Sequence, residues 1–165
     1  MTAFRLRDAT AQDADAASGL ALRSKASWGY SAPFLEACRS ELTFTSKQCS
    51  GGGMRIAEQH GRIIGFALVE PAGSEPELSA LFVDPEHMGR GVGHALLVDA
   101  LGAARRLGLH RLFLDSDPGA EPFYRRHGAW RVGETPSGSV AGRVIPRLCF
   151  DLARIETSQG AGPTA

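Results

Sequence analysis

Hydrophobic and polar positions change their period several times along the chain, and each change marks an element. Phe4-Arg5-Leu6-Arg7 alternates with period two, which predicts a short strand. Thr10 followed by Asp13 resembles a capping box, opening a helix that is expected to run to about residue 27. Ser31-Ala32-Pro33 supplies a cap and an early proline, so a second helix is expected from 34 to about 42. After Ser50-Gly51-Gly52-Gly53, read as a flexible loop, residues 54–59 and 62–70 are strand-like and meet at His60-Gly61, a hairpin. Residues 77–83 form the next strand, closed by Asp84-Pro85.

The period then becomes helical. From Gly91 to about Leu107, the residues Val92, Leu96, Ala100, Ala103 and Leu107 make one apolar stripe, widened by Leu97, Leu101 and Ala104. Arg105 and Arg106 suit the negative end of the helix dipole, and Gly108 suits its C-cap. Residues 111–115 are a strand again, so strand, helix and strand form a parallel crossover unit. A short helix over 118–127 stops at Gly128, and two strands, 130–134 and 144–152, finish the pattern on either side of a loop. The expected architecture is an α/β mixed sheet of about seven strands flanked by about four helices. It forms one domain over 1–155, with a disordered tail over 156–165, which is rich in Ser, Gly and Thr.

Composition narrows the function without choosing it. A length of 165 residues fits one domain with a real core. Lys plus Arg and Asp plus Glu are both 18, so no net positive field gathers nucleic acid or an anionic membrane. A small-molecule partner is the expectation. The N-terminal residues lack the apolar core of a signal peptide, and no run approaches the roughly 18 apolar residues of a membrane span. Cys38, Cys49 and Cys149 have neither disulfide nor zinc-ligand spacing, so a reduced cytoplasm and no metal are expected.

The stretch His87-Met88-Gly89-Arg90-Gly91-Val92-Gly93-His94 stands out because glycine disfavours a helix by about 1 kcal/mol relative to alanine. Glycines at 89, 91 and 93, between a strand and a helix N-terminus, leave backbone N–H groups uncovered at the positive end of the dipole. That arrangement suits phosphates lying against the backbone. It is not a Walker loop, since His94-Ala95 follows Gly93 where Lys and Ser or Thr are required. Nor does it follow the first strand, as a dinucleotide fold would demand.

From about residue 4 to residue 152 the chain resembles the GNAT superfamily of acyl-CoA-dependent N-acetyltransferases. Gly91 and Gly93 match the two small positions of that family's pyrophosphate loop, with Met88 where Gln or Arg is usual. Ala120-Glu121-Pro122-Phe123-Tyr124, completed by Gly128, resembles the family's Ala-x-x-Phe-Tyr signature, with Gly119 where Asn is frequent. The resemblance implies a partly splayed sheet and acetyl-CoA as acyl donor. It implies that Met88, Gly89, Arg90, Gly91, Val92, Gly93 and His94 hold the cofactor together with the backbone of Leu81, Phe82 and Val83, and with Phe123.

Acetyl transfer to an amine needs a neutral amine, a polarised thioester carbonyl and a proton for the departing thiolate. By position in the family, Glu77 is the candidate general base and Tyr124 the candidate general acid; Glu70 and Glu75 compete with Glu77. The resemblance implies that Trp28 and Tyr30 belong to the region that lines the acceptor pocket, and Arg143, the only charge in its loop, is a candidate clamp for an acceptor carboxylate. His127 and the three cysteines have no visible chemical company. The expected activity is direct attack by a primary amine in a ternary complex. A non-catalytic acyl-CoA-binding regulatory module and a protein N-terminus or lysine acetyltransferase are the alternatives. The resemblance leaves a homodimer open.

Overall fold

A computed structural model describes residues 3–154, so the expected tail lies outside the described residues. Strands β1 (Arg5–Asp8), β2 (Met54–Gln59), β3 (Arg62–Glu70), β4 (Glu77–Val83), β5 (Arg111–Asp115), β6 (Trp130–Pro136) and β7 (Val144–Asp151) form one seven-stranded sheet in the order β1-β2-β3-β4-β5-β7-β6. Every neighbouring pair is antiparallel except β4 and β5. The β2–β3 hairpin turns where expected, with His60 at φ 51° and Gly61 at φ 73°, the left-handed pair that a tight hairpin requires.

Five α-helices cover the sheet: α1 (Ala14–Ala26), α2 (Ala32–Cys38), α3 (Ser46–Ser50), α4 (Val92–Arg106) and α5 (Glu121–Arg126). The first helix begins later than the capping signal predicts, because Ala11–Asp13 forms a tighter 3₁₀ turn ahead of it. The signal itself is real: the Asp13 carboxylate accepts the Thr10 backbone N–H at 2.7 Å. The second helix stops at Cys38, short of 42, and α3 was not anticipated. It is a single turn nucleated by Thr45, whose hydroxyl accepts from the N–H of Gln48 at 3.1 Å.

One face of the sheet carries α4, whose buried residues are Val92, Leu96, Leu97, Ala100, Leu101 and Ala104. These are six of the eight positions expected in the stripe; Ala103 is half-buried and Leu107, just past the helix end, is 60% exposed. The opposite face packs α1, α2 and α3 against Met54, Ile56, Phe66 and Leu68. Two apolar layers thus clamp the sheet on both sides.

The feature that positions the site lies between the two parallel strands. A single bridging pair, Glu77 with Phe113, joins β4 to β5, reinforced by the Phe113 N–H donating to the Pro76 carbonyl at 2.9 Å. Beyond it the strands part. On the other side of β4 the register with β3 slips between Leu68 and Val69, which leaves Ser79 as an extra residue on β4, a bulge that bends the strand.

Candidate active site

The wedge between the strands opens into a cleft of about 870 Å³. Residues 78–83 form one wall and Leu114, Asp115, Ser116 and Asp117 the other. One end is bounded by Met88, Gly89, Gly91, Gly93 and His94, and the helix α5 contributes Pro122, Phe123, Tyr124 and Arg126. Residues of the helix α1 and of three loops, Lys25, Trp28, Glu41, Ser137, Gly138 and Arg143, also line it.

The glycine-rich turn divides into two functions. Gly89 and Gly91 adopt φ of 75° and 85°, and a Cβ built on either meets nothing within 4 Å. These two positions need glycine for the left-handed backbone and leave open space beside the α4 N-terminus, which fits an anion held by N–H groups. Gly93 differs: its Cβ would touch Phe123 at 3.5 Å and Val83 at 3.6 Å. It brings α4 against the cleft wall. Val92, in contrast, points into the core at 2% exposure. Arg90 is exposed and does not line the cleft.

His94 and His127, which looked unrelated in the sequence, sit together with Nδ1 of the first 2.8 Å from Nε2 of the second. His127 Nδ1 lies 2.8 Å from the Phe123 carbonyl, which can only accept, so that nitrogen carries the hydrogen. In the neutral pair His127 Nε2 then accepts from His94 Nδ1–H. Both rings line the cleft beside the glycine turn.

Tyr124 lies on α5 at 7% exposure, packed edge-on against Phe123 with centroids 5.2 Å apart. Its hydroxyl makes no hydrogen bond among the described residues, although it borders the cleft. Burial, with Asp117 nearby, pushes its pKa well above the usual phenol range. The group is firmly protonated and available to donate.

Glu77 is in a different place. It stands at the closed apex of the wedge and does not line the cleft, and its carboxylate accepts from Arg147 at 3.0 Å. Arg147 also donates to Asp115 at 2.9 Å and approaches Glu75 at 3.4 Å. Glu77 is thus paired with an arginine outside the cleft lining. The competitors fare no better, since Glu75 shares Arg147 and Glu70 lies outside the cleft lining.

At the far end, Tyr30 and Phe34 stack with centroids 4.1 Å apart. The Tyr30 hydroxyl donates to Asp117 Oδ2 at 2.6 Å and accepts from Arg143 Nη2 at 2.9 Å. Lys25 Nζ donates to the same carboxylate oxygen at 2.9 Å, and the Gly119 N–H donates to Oδ1 at 2.9 Å. Burial opposes ionisation of Asp117, but the bonds from Tyr30 and Lys25 outweigh it and hold the carboxyl below its ordinary range. Burial and Asp117 push the Tyr30 hydroxyl up to about 12. Arg143 is thus not the isolated guanidinium that its loop suggested; it lies over the Phe34 ring, 4.9 Å from the centroid, and is anchored through Tyr30. Trp28 and Arg143 line the cleft, whereas Tyr30 supports its wall from behind.

Sequence patterns missed Lys25, Glu41 and Asp117. Asp117 had a signal, since it lies just past the carboxyl end of a parallel strand, where α/β folds place ligand-binding residues. Among the described residues no group of three or more His, Cys, Asp or Glu is placed to hold a metal ion, and no helix is long and apolar enough to cross a membrane.

Comparison with known proteins bears on this geometry. A mycothiol acetyltransferase of Nocardiopsis dassonvillei is 48% identical over 116 residues, covering 66% of this chain and 30% of that protein. An amino-acid acetyltransferase of Mycobacterium tuberculosis is 31% identical over 100 residues, covering 59% of this chain and 55% of that one. The chain therefore spans between about a third and about half of the length of these relatives. In structure, the PaiA N-acetyltransferase of Thermoplasma acidophilum, solved in complex with coenzyme A, superposes with a TM-score of 0.71 at 18% identity, covering 90% of this chain and 99% of that one. That likeness shows a shared fold. Residues 21–129, from the middle of α1 to just beyond α5, match the model of the acetyltransferase (GNAT) family, and with the splayed strands and the glycine turn in place the chain belongs to that family.

Proposed function

We propose that the protein transfers an acetyl group from acetyl-CoA to a primary amine, by direct attack while both substrates occupy the cleft. One observation carries this reading. The wedge between β4 and β5 connects the glycine turn at the α4 N-terminus to the hydroxyl of the otherwise buried Tyr124, which has no hydrogen bond among the described residues, and continues to a polar pocket. The fit to CoA rests on Gly89 and Gly91, where open space beside the α4 N-terminus leaves room for a pyrophosphate.

When bound, acetyl-CoA supplies the activated acyl carbon as a thioester. Backbone groups of Leu81 and Val83 along the parted edge of β4 hold the pantetheine arm, while those of Phe82, two residues before the Asp84 N–H that donates to Ile64, face β3. An N–H group of that parted edge also polarises the thioester carbonyl. Gly89 and Gly91, with the first N–H groups of α4, hold the pyrophosphate, and His94 and Phe123 flank it. The amine nitrogen forms a bond to the acyl carbon as the carbon–sulfur bond breaks, and the hydroxyl of Tyr124 gives its proton to the departing thiolate.

The acceptor pocket is the end bounded by Trp28, Glu41 and Arg143. A small-molecule amine in the cytoplasm is the substrate class that this pocket and the balanced overall charge favour. Steady-state release of free thiol from acetyl-CoA, measured across a panel of amino acids, amino sugars and diamines, tests the reading. Thiol release that depends on the amine supports it, and tight CoA binding with no turnover of any amine would favour a binding module instead.

A further inference from the structure

Three carboxylates line the cleft: Glu41, Asp115 and Asp117. Asp115 accepts from Arg147 at 2.9 Å and Thr135 at 2.8 Å. Asp117 is saturated by Lys25, Tyr30 and the Gly119 N–H. Glu41 alone among them has neither an ion pair nor a hydrogen bond within the described residues. It follows α2 and lies over the 137–143 loop, so close that a Cβ at Gly138 would fall 2.7 Å from Glu41 Oε1. Arg39, two residues earlier, does not satisfy it, because that guanidinium is bound to Glu36 at 2.9 Å.

The charges facing Glu41 at this end of the cleft are Lys25, Asp117 and Arg143. Two cations share one carboxylate there, since Arg143 Nη2 lies 3.8 Å from the same Asp117 oxygen that Lys25 bonds. One positive charge is left over. Arg143 commits only Nη2, to Tyr30, so its Nε and Nη1 have no bond among the described residues. The pocket therefore holds one uncompensated carboxylate and one uncompensated cation, which is the complement of a zwitterion.

Resting on the transfer reading above, we infer that Glu41 receives the ammonium group of the acceptor and that the acceptor is an amine bearing a carboxylate, held by Arg143. Glu41 binds the ammonium, takes one proton from it to free the lone pair that attacks the acyl carbon, and releases that proton to water when the product leaves. The nitrogen that entered with three hydrogens leaves as an amide with one; its second proton, passed through water, restores the Tyr124 hydroxyl that protonated the thiolate, so one proton is released in all.

Two measurements test this. Thiol release is followed with the twenty common amino acids and, for the best of them, with the matching amide and the matching decarboxylated amine. The acid should exceed both analogues by about tenfold or more in kcat/KM. For Glu41→Gln, the acceptor KM should rise about tenfold while the KM for acetyl-CoA stays fixed. The loss should be largest at low pH and shrink as pH rises past the pKa of the amine, where a neutral nucleophile no longer needs the carboxylate. Glu41→Asp should recover part of it. An active wild type with an unaltered Glu41→Gln variant, or a loss equal at every pH, overturns the assignment of Glu41. Equal rates with acid, amide and decarboxylated amine overturn the zwitterion. No turnover of any amine by the wild type overturns the transfer reading itself, and the two inferences with it.

Discussion

Trp28 lies against Gly119: a Cβ at Gly119 would come within 2.9 Å of two carbons of the indole ring. A glycine at the front of α5 thus gives the helix-linking turn after α1 a seat on the opposite wall of the cleft. Gly119→Ala should displace the ring and destabilise the protein by about 1–3 kcal/mol, the usual range for overpacking. With Trp130 replaced by Phe, the remaining indole reports directly. Its emission should move to the red in the Gly119→Ala variant, and an unshifted spectrum would show that the contact does not exist.

Gly91→Ala should reduce CoA affinity at least about tenfold, because a left-handed residue at the N-cap of α4 is strained with any side chain. Gly93→Ala offers the contrast, since its methyl would make ordinary contacts with Phe123 and Val83. Titration calorimetry with CoA on both variants separates the two positions. Equal affinities would remove the phosphate role from Gly91.

For Tyr124→Phe we expect kcat to fall by roughly 10²-fold with the KM for acetyl-CoA unchanged, since only a hydroxyl is lost from a buried ring. Wild-type turnover would leave the residue a packing role against Phe123.

Glu77→Gln loses one of the partners of Arg147 at the apex of the wedge. Any loss of activity should be small and the same at every pH, in contrast to the pH-dependent loss expected at Glu41. A loss that grows as pH falls would return the base to Glu77.

Asp13 gives a pH test of stability. Arg7, bonded to it at 2.8 and 2.9 Å, overcomes the burial of the carboxyl and lowers its pKa below the unfolded value. A group whose folded pKa is depressed contributes its stability above the unfolded pKa, about 3.9, and loses it as pH falls through the folded value. Asp13→Asn should therefore cost about 1–2 kcal/mol at pH 7, and the gap to wild type should close in acid. Urea unfolding at both pH values measures it; a gap independent of pH would place the cost in packing.

Local chemistry explains what the sequence revealed. All seven strands were legible because alternation, or an apolar run bounded by Gly, Pro or Asp, survives in any tertiary setting. The glycine turn was legible because it breaks a helix rule openly. Helix α3 was not, since five residues carry no period, and its only signal was Thr45 with Gln48. The α4 stripe was legible from its helical period except at its end, where Leu107 caps the helix and is exposed. In the site, Tyr124 and the turn came from short contiguous motifs. Asp117, Lys25 and Tyr30 come from segments nearly ninety residues apart, and only the fold brings their charges together. The same holds for His94 with His127, and for the bond that Arg143 donates to the Tyr30 hydroxyl.

The single bridge between β4 and β5 has a mechanical consequence. Across that line the sheet is nearly two sheets, β1 to β4 on one side and β5, β7 and β6 on the other, riveted at Glu77 and Phe113. A ligand that lies along the parted edge and bonds both walls does the work of a missing strand, and stitches the halves together. Backbone amides of Leu81 and Val83 should then exchange with solvent hydrogen much faster in the free protein than in the loaded one, with the Phe82 amide, which faces β3, as the protected control. The bound molecule would be part of the architecture for as long as it stays.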